Sequence, residues 1–407
     1  MLMNMSLPKL ALPVLLLANW AAANCAAEPS RTFAGLEEQL LQDAADGRWD
    51  EFSLFEAALI ASGVAEPTQL PAYRAQFDQI VQLIDRETAG VSSERARARA
   101  ILRGLHEHVL TGRYQATCTE LDRTLDQGRY NCVTATILYR CLAARAALSL
   151  TTRAEPNHVY CRLESDPPVE IQTTSPQGFG GAVIPLAVER DPFNGKPAVC
   201  ASPTEPTASH GMAGAWPSQA GSPYGSLERG PAARQPRELT DVQLVAKIYF
   251  NRGLALLECK QFRAALHLLR ISCRLDSGDD VARQNLLACL NNWALAEADA
   301  GRFRLAAAIL TYGIRAAPDY RPFLDNQVHV YQRWVMQLCR AGDFAEAFQL
   351  LESGYRQRPE VPLFAEGRAV VCQIWRQSLL SAGKPAAATA VDSILQAKRR
   401  HGLGGTS

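Results

Sequence analysis

The sequence predicts an α+β domain followed by an all-α domain of stacked helix pairs. Three observations carry this prediction. Apolar residues recur at three- and four-residue spacing up to about Arg113, which is typical of amphipathic helices. Residues 158–174 instead alternate with a period of two, as half-buried strands do. Beyond Thr240 a helical pattern repeats at a constant step, and 407 residues are enough for two such domains.

The composition is that of an ordinary globular protein, and it narrows the function classes. The formal net charge is +1, and no Lys/Arg stripe with interleaved aromatic residues occurs, so we expect no nucleic-acid binding. Zinc-type cysteine spacing does not occur either, and the two histidines of "HEH" (106–108) diverge on a helix. We therefore predict no metal and no cofactor.

The N-terminus has the layout of a secretory signal. An apolar run from Leu10 to Ala18 follows one lysine and precedes small residues, and Ala21-x-Ala23 suits cleavage before Asn24. Cleavage after Ala27 is the alternative, and a buried N-terminal helix is the competing interpretation. The run is too short for a stable membrane span. We predict a signal peptide over 1–27 and an exported protein, periplasmic or extracellular.

The predicted α+β domain covers 28–195 and begins with helices. A helical N-terminal region leads to "NCVTATILYRCLAARAAL" from Asn131, which is apolar on nearly all sides and should be buried. After Ala147 two strands are expected, "HVYCRLE" from His158 and "VEIQTTS" from Val169, joined by a turn. One face of the first strand is apolar: Val159, Cys161 and Leu163. His158 lies on the opposite face.

Residues 196–239 are rich in Pro, Gly, Ser and Ala, which favours a flexible linker. Thr240 then opens a capping box, "TDVQ", at the start of an all-α domain over 240–400. Within it, "KQFRAALHLL" begins at 260, "GRFRLAAAIL" at 301 and "GDFAEAFQLL" at 342, so the step is 41 residues (301 − 260 and 342 − 301).

These repeated segments resemble tetratricopeptide repeats, in which a helix, a tight turn and a second helix form a unit of 34 residues. Aromatic and small residues fall in register after each turn: Phe262, Phe303 and Phe344, then Ala265, Ala306 and Ala347. The longer step predicts a longer first helix in each pair. An irregular helical bundle is the alternative.

Two residues of the first domain stand out for their chemistry. Cys132 follows "GRYN" at the start of the buried helix, where unpaired N–H groups and the helix dipole favour the thiolate. We expect its pKa to lie below the usual thiol value. His158 opens the strand beside this helix and is the candidate base. A third group must fix the imidazole, and the next strand offers Gln172 or Glu170 on one face. The competing interpretation is a buried structural thiol and a structural strand histidine.

The order of a helix-start cysteine, a strand-start histidine and a polar residue on the next strand resembles the transglutaminase-like superfamily, which has a papain-like α+β fold. "NCVTATILY", "NHVYCRLE" and "IQTTSPQGF" carry the resemblance, over about 92–180. It is closest to the SirB1-type branch, in which a helical region precedes the core and tetratricopeptide repeats follow. The resemblance implies that Cys132 is the nucleophile and His158 the base. Gln172 stands where the superfamily has an acidic residue.

Two functions follow from these observations. The first is a cysteine enzyme acting on an amide, as protease, amidase or acyl-transferase. The second is a non-catalytic scaffold that binds proteins through its repeats. In either case the first helices of the pairs (242–258, 280–299, 320–340 and 362–381) should line a groove for a protein or peptide, or for the chain's own N-terminal domain. Asn292 and Asn326 are the predicted groove contacts, and Tyr249 is among the groove's aromatic candidates.

Overall fold

The computed structural model describes residues 35–155, 158–180 and 236–402. The predicted signal peptide and most of the predicted linker lie outside these residues. Within them the chain is mostly helical, with fourteen α-helices and one small antiparallel sheet of four strands. Among the described helices, none combines the length and the apolar character needed to cross a membrane.

The described residues fall into two compact units. The first comprises 35–259 and 271–281, and the second comprises 260–270 and 282–402. The helices of the first unit are α1 (Leu36–Asp43), α2 (Leu54–Ser62), α3 (Leu70–Thr88), α4 (Glu94–His108), α5 (Leu121–Gln127), α6 (Cys132–Arg145) and α7 (Asp241–Glu258). Its strands are β1 (Leu150–Glu155), β2 (His158–Leu163), β3 (Val169–Ile171) and β4 (Arg237–Leu239). α8 (Phe262–Leu275) passes from the second unit to the first.

The sheet has the strand order β3-β2-β1-β4, and every pair is antiparallel. The first predicted strand is present as β2. The second is present only in part, as β3, because residues 172–175 are not strand. β1 and β4 were not predicted. Cys161 pairs with Ile171, the last residue of β3, so Gln172 lies just beyond the paired part of that strand. β4 falls at the C-terminal end of the segment predicted as a linker, and the structure differs from the prediction there.

Helix α6 is buried, as its apolar sequence predicts. Ala135, Ile137 and Tyr139 have no exposed surface, and the Tyr139 hydroxyl donates to the Ala98 carbonyl of α4 at 3.0 Å. On the other side α6 packs against β2, whose Val159, like Cys161 and Leu163, is buried. The first turn of α6 therefore lies beside the start of β2.

Helix α7 belongs to the first unit. Its predicted capping box is present, since the Thr240 hydroxyl accepts from the Gln243 N–H at 3.3 Å and the Gln243 side chain accepts from the Thr240 N–H at 3.0 Å. α7 packs on α2, where Arg252 donates to the Ala61 carbonyl at 2.5 Å. Tyr249 is fully buried and interacts with Glu37. The expectation that α7 and Tyr249 line an open groove was wrong, because this helix is part of the first unit's core.

Two ion pairs with buried carboxylates fix α7 and β4 to the segment 271–281 of the same unit. Arg237 pairs with Asp276 through both of its terminal nitrogens, and Asp276 is only 1% exposed. Lys247 Nζ lies 2.5 Å from a carboxylate oxygen of Asp279, which is also buried. Removing one partner from such a pair leaves an uncompensated charge in the interior.

The second unit consists of consecutive helices that share one apolar core. Its helices after α8 are α9 (Asp280–Asp299), α10 (Phe303–Ala316), α11 (Arg321–Ala341), α12 (Phe344–Gln357), α13 (Pro362–Ser381) and α14 (Pro385–Gly402). The odd-numbered helices have 20, 21 and 20 residues, whereas α10 and α12 have 14. The prediction of a longer first helix in each pair is confirmed.

The 41-residue step of the sequence also appears in the helix packing, where the same contact between a glycine and a phenylalanine ring occurs twice, 41 residues apart. A Cβ on Gly313 would lie 2.7 Å from the Phe323 ring, and one on Gly354 would lie 2.4 Å from the Phe364 ring. Both phenylalanines are buried. Only glycine allows the second helix of one pair to approach the first helix of the next so closely, because any side chain would overlap the ring.

Candidate active site

Cys132 is the first residue of α6, and Asn131 fixes this helix start. The Asn131 side-chain oxygen accepts from the N–H groups of Val133 at 2.9 Å and Thr134 at 3.0 Å. The Thr134 hydroxyl in turn accepts from the Asn131 N–H at 3.1 Å. This reciprocal cap satisfies N–H groups that a helix leaves without intrahelical partners. It also holds the Cys132 side chain at the positive end of the helix dipole.

The Cys132 thiol is buried, with 9% of the residue exposed. Burial raises its pKa, and the N–H groups of Val159, Cys132 itself and Val133, together with the Tyr114 hydroxyl, oppose this rise. The expectation of a pKa below the usual thiol value was therefore wrong. The helix-start donors are present, but the loss of hydration of the thiolate outweighs them.

Thr136, one turn into α6, connects the helix to β2 and to the turn that follows β3. Its hydroxyl donates to the Val159 carbonyl at 3.3 Å and lies 2.8 Å from the Thr173 hydroxyl. Because Thr136 has one proton and gives it to the carbonyl, Thr173 is the donor in the second bond. This network places the residue after His158 directly against the helix that begins with Cys132.

His158 is fixed by Gln172. The imidazole Nε2 lies 2.6 Å from Gln172 Oε1, and the ring also stacks on Tyr160 with 5.8 Å between centroids. An amide oxygen only accepts, so Nε2 carries the proton and Nδ1 keeps its lone pair. The half-buried imidazole is thereby held in one tautomer, with the lone pair on Nδ1.

Gln172 is held by a tight turn after β3. Its side chain is buried, its N–H donates to the Gly178 carbonyl at 2.8 Å, and its own carbonyl accepts from Ser175 at 3.2 Å. A Cβ on Gly178 would lie 2.0 Å from the Gln172 carbonyl oxygen, so the turn requires glycine at 178. Gln172 Nε2 has no hydrogen-bond partner among the described residues.

Two further side chains hold this turn, and sequence reasoning missed both. His106 Nε2 lies 3.0 Å from the Thr173 carbonyl, and the Tyr130 hydroxyl donates to the Thr174 carbonyl at 3.2 Å. Burial lowers the pKa of His106, which favours the neutral ring with its proton on Nε2. The signal for His106 was its spacing of four residues from buried Leu102 on the inner face of α4.

Glu170, the other candidate for the third group, is exposed on β3. Its carboxylate interacts with the Tyr160 hydroxyl; this interaction adds to the dominant effect of burial and raises the pKa of Tyr160 to about 12. The described contacts therefore bring Gln172, and not Glu170, to the imidazole.

The predicted groove contacts lie in the second unit, and the structure gives Asn326 a partner there. Asn326 Nδ2 donates to Asn291 Oδ1 at 2.8 Å, which joins α11 to α9. Asn292 is half-buried on α9. The neighbouring Trp293 is buried, and its indole N–H donates to Glu297 at 2.8 Å. Asn326 and Trp293 thus form contacts within the unit.

One group of side chains could in principle bind a metal ion. Glu87, Glu107 and His108 each offer a ligand atom, and these atoms lie within 4.8 Å of one another. All three residues are exposed, and a hydrogen bond of 2.7 Å between His108 Nε2 and Glu87 explains the proximity of two of them. Exposed groups of this kind are common on protein surfaces, so we assign no metal site.

No protein-family model matches this chain, and neither a curated protein nor a solved structure matches it.

Proposed function

We propose that this chain is an exported, transglutaminase-like cysteine enzyme that acts on an amide, as protease, amidase or acyl-transferase. The observation that carries the proposal is the 2.6 Å hydrogen bond between His158 and Gln172, beside a cysteine at a capped helix start. Cys–His–amide sites perform acyl transfer on unrelated folds. Cys132 is the nucleophile, His158 the base and Gln172 the group that orients it.

The reaction begins from a neutral thiol, because burial raises the pKa of Cys132. His158 Nδ1 takes the thiol proton as the sulfur attacks the amide carbonyl, and the C=O electron pair moves onto oxygen. When this intermediate collapses, the C–N bond breaks and the imidazolium protonates the leaving amine. Water or a second amine then attacks the thioester and gives its proton to His158. The C–S bond breaks, the acyl group leaves, and the imidazolium returns the proton to the sulfur.

The acidic residue expected by resemblance is replaced by a neutral amide, and this has a chemical consequence. An amide fixes the tautomer and orientation of His158 but gives no negative charge to stabilise the imidazolium. We therefore expect a slower enzyme than one with a carboxylate at position 172. The exposed Glu170 does not compensate, because its carboxylate is directed to Tyr160.

A second candidate function is a non-catalytic scaffold that binds protein or peptide segments through the helices of the second unit. The observation that favours it is the burial of Cys132, which opposes formation of the nucleophilic thiolate. Here the Cys132, His158 and Gln172 contacts would stabilise the first unit only.

The two candidates are separated by acylation of the intact protein with p-nitrophenyl acetate. The enzyme predicts release of p-nitrophenolate together with an acetyl group on the peptide that contains Cys132, located by mass spectrometry. Cys132→Ser should abolish this labelling. Cys141→Ser, which alters another thiol of α6, should leave it intact. Acetylation spread over several cysteines, or none at Cys132, would contradict the enzyme and favour the scaffold.

A further inference from the structure

We propose that Tyr114 is a further catalytic residue: its hydroxyl lies beside the Cys132 sulfur at rest and donates to the oxyanion of the tetrahedral intermediate. This inference rests on the proposed function. No sequence pattern singled out Tyr114, which lies in the connection between α4 and α5. Backbone pairing and ring packing place it at the site.

Backbone pairing holds the Tyr114 segment against the residues that lead into α6. Tyr114 and Tyr130 form a bridge, the Gln115 N–H donates to the Tyr130 carbonyl at 2.8 Å, and the Gly112 N–H donates to the Gly128 carbonyl at 3.0 Å. Tyr130 is only two residues before Cys132. The position of Tyr114 is thus set by the same strand-like segment that sets the helix start.

Ring packing fixes the Tyr114 side chain. Its ring meets the Tyr130 ring edge to face, with 6.0 Å between centroids, and Tyr130 meets His106 in the same way at 5.7 Å. These three rings form a row in which Tyr130 is buried and the other two are half-buried, and the Tyr114 hydroxyl interacts with the Cys132 thiol. This packing holds the Tyr114 ring in place, so the position of its hydroxyl is pre-organised.

The Tyr114 hydroxyl remains a donor at any ordinary working pH. Burial, with a smaller contribution from the neighbouring Cys132, raises the pKa of Tyr114 to about 12. A neutral phenol can stabilise a thiolate or an alkoxide by donating its proton in a hydrogen bond. It does not compete with His158 as a base.

The chemistry of acyl transfer requires donors at this location. As the sulfur attacks, negative charge moves from Sγ to the carbonyl oxygen bonded to the same carbon. A hydrogen-bond donor beside Sγ therefore needs only a small displacement to reach the carbonyl oxygen, where the charge develops. The Cys132 N–H is the natural second donor, because the first N–H of a helix has no intrahelical carbonyl partner. Tyr114 and this N–H would form a two-donor oxyanion hole.

Two probes separate stabilisation of the oxyanion from stabilisation of the thiolate. Iodoacetamide alkylates the thiolate by displacing iodide, and no oxyanion forms. p-Nitrophenyl acetate acylates it through a tetrahedral oxyanion that expels p-nitrophenolate. Both rates are measured at Cys132 in the intact protein, for the wild type, Tyr114→Phe and the control Tyr73→Phe. Tyr73 is a matched control because its hydroxyl bonds to Asp126 at 3.2 Å in a different part of the first unit.

We expect Tyr114→Phe to slow acylation by roughly 10²-fold, the usual loss for one oxyanion donor, and to slow alkylation by less than about tenfold. Tyr73→Phe should change neither rate. Equal losses in the two rates would overturn the inference, since Tyr114 would then act on the thiolate alone. Faster alkylation of Tyr114→Phe would also overturn the inference, because the hydroxyl would then hinder the reaction of the Cys132 thiol.

Failure of this inference is distinguishable from failure of the proposed function. If the wild-type protein is acylated at Cys132 and Tyr114→Phe matches it, the cysteine enzyme stands and the Tyr114 role is wrong. If the wild-type protein is not acylated at Cys132, both are wrong. Circular dichroism of Tyr114→Phe should match the wild type, because the ring and its packing are retained.

Discussion

Two buried glutamines, Gln327 of the second unit and Gln172 of the first, are used differently. In the second unit, Gln327 donates to the Thr311 hydroxyl at 3.3 Å and accepts from Arg358 at 3.1 Å, so both ends of the amide are bonded. In the first unit, Gln172 is equally buried, but only its oxygen is bonded, to His158. The Gln327 bonds join helices. The Gln172 bond holds the His158 imidazole and leaves the buried Gln172 Nε2 without a partner among the described residues.

The unbonded N–H group of Gln172 reduces the stability of the folded chain, whereas the fully bonded amide of Gln327 does not. An unbonded buried amide N–H costs on the order of 1–3 kcal/mol. Such groups are uncommon in folded proteins and are tolerated where another requirement fixes the side chain. At Gln172 that requirement is the bond to His158. In the second unit nothing comparable constrains Gln327, and its polar atoms are matched to neighbours along the repeat.

The sharpest test exchanges the two amides for alanine. Gln172→Ala should slow Cys132 acylation by about 10²-fold, since an unfixed imidazole loses much of the benefit of general-base catalysis. Its thermal midpoint should change little, because the truncation also removes the unbonded donor. Gln327→Ala should leave acylation unchanged and lower the midpoint, because Arg358 and Thr311 lose a partner. Both values come from stopped-flow acylation and thermal melts of the same preparations.

Glu170→Ala is the control within the site, and it should leave acylation within about twofold, the range expected when a solvated side chain is removed. A large loss with Glu170→Ala and none with Gln172→Ala would transfer the orienting role to Glu170. If neither variant slows acylation, neither side chain has an orienting role, and the non-catalytic scaffold is favoured.

The second prediction concerns the pH dependence of Cys132 alkylation by iodoacetamide. Burial raises the pKa of this thiol, so its neutral form predominates below that raised value. The alkylation rate should therefore climb about tenfold per pH unit through the usual thiol range, near 8.5, and continue to climb above it. A plateau already reached near neutral pH would mean that Cys132 and His158 form a preformed ion pair.

The third prediction tests the close helix packing of the second unit. Gly354→Ala would place a methyl group 2.4 Å from the buried Phe364 ring, and we expect a loss of about 1–3 kcal/mol in the free energy of unfolding. Gly367→Ala is the matched control, since its methyl would meet only the ends of Leu351 at 3.3 Å. Acylation at Cys132 should be unchanged in both variants. Denaturant unfolding that gives equal midpoints for the two would contradict the packing argument.

The sequence predicted those parts of the fold that depend on local patterns. The period-two alternation identified β2, the capping box identified the start of α7, and the 41-residue step identified the helix pairs. β4 was missed because its pairing is distant along the chain, as when Ala154 pairs with Arg237. β1 was missed although it pairs with the adjacent β2, with Glu155 opposite His158.

The candidate site was predictable only in part, for a related reason. Cys132 and His158 lie at element boundaries, which sequence patterns reveal. Tyr114 and His106 reach the site through backbone pairing and helix packing, which residue spacing alone does not encode. The pKa of Cys132 was predicted in the wrong direction because the helix-start donors are local, whereas burial depends on the whole unit.

The smallest expected effect is an increase in stability when Lys260 is replaced, because this residue occupies a turn position at which the later repeats have glycine. The turns at Gly301, Gly342 and Gly383 have φ values of 75°, 83° and 69°, and glycine adopts this left-handed conformation without strain. Lys260 occupies the same register with φ 57°. A side chain there clashes with the following carbonyl, at a cost of roughly 1–2 kcal/mol.

Lys260→Gly should therefore raise the free energy of unfolding by about 1 kcal/mol, after allowance for the greater freedom of glycine in the unfolded chain. Lys260→Ala keeps the Cβ and removes the rest of the side chain with its charge, so it serves as the control and should not stabilise. Denaturant midpoints of the two variants decide the question. If the glycine variant is no more stable than the alanine variant, the left-handed turn at 260 is not strained, and the 41-residue repeat does not impose its turn geometry at its first step.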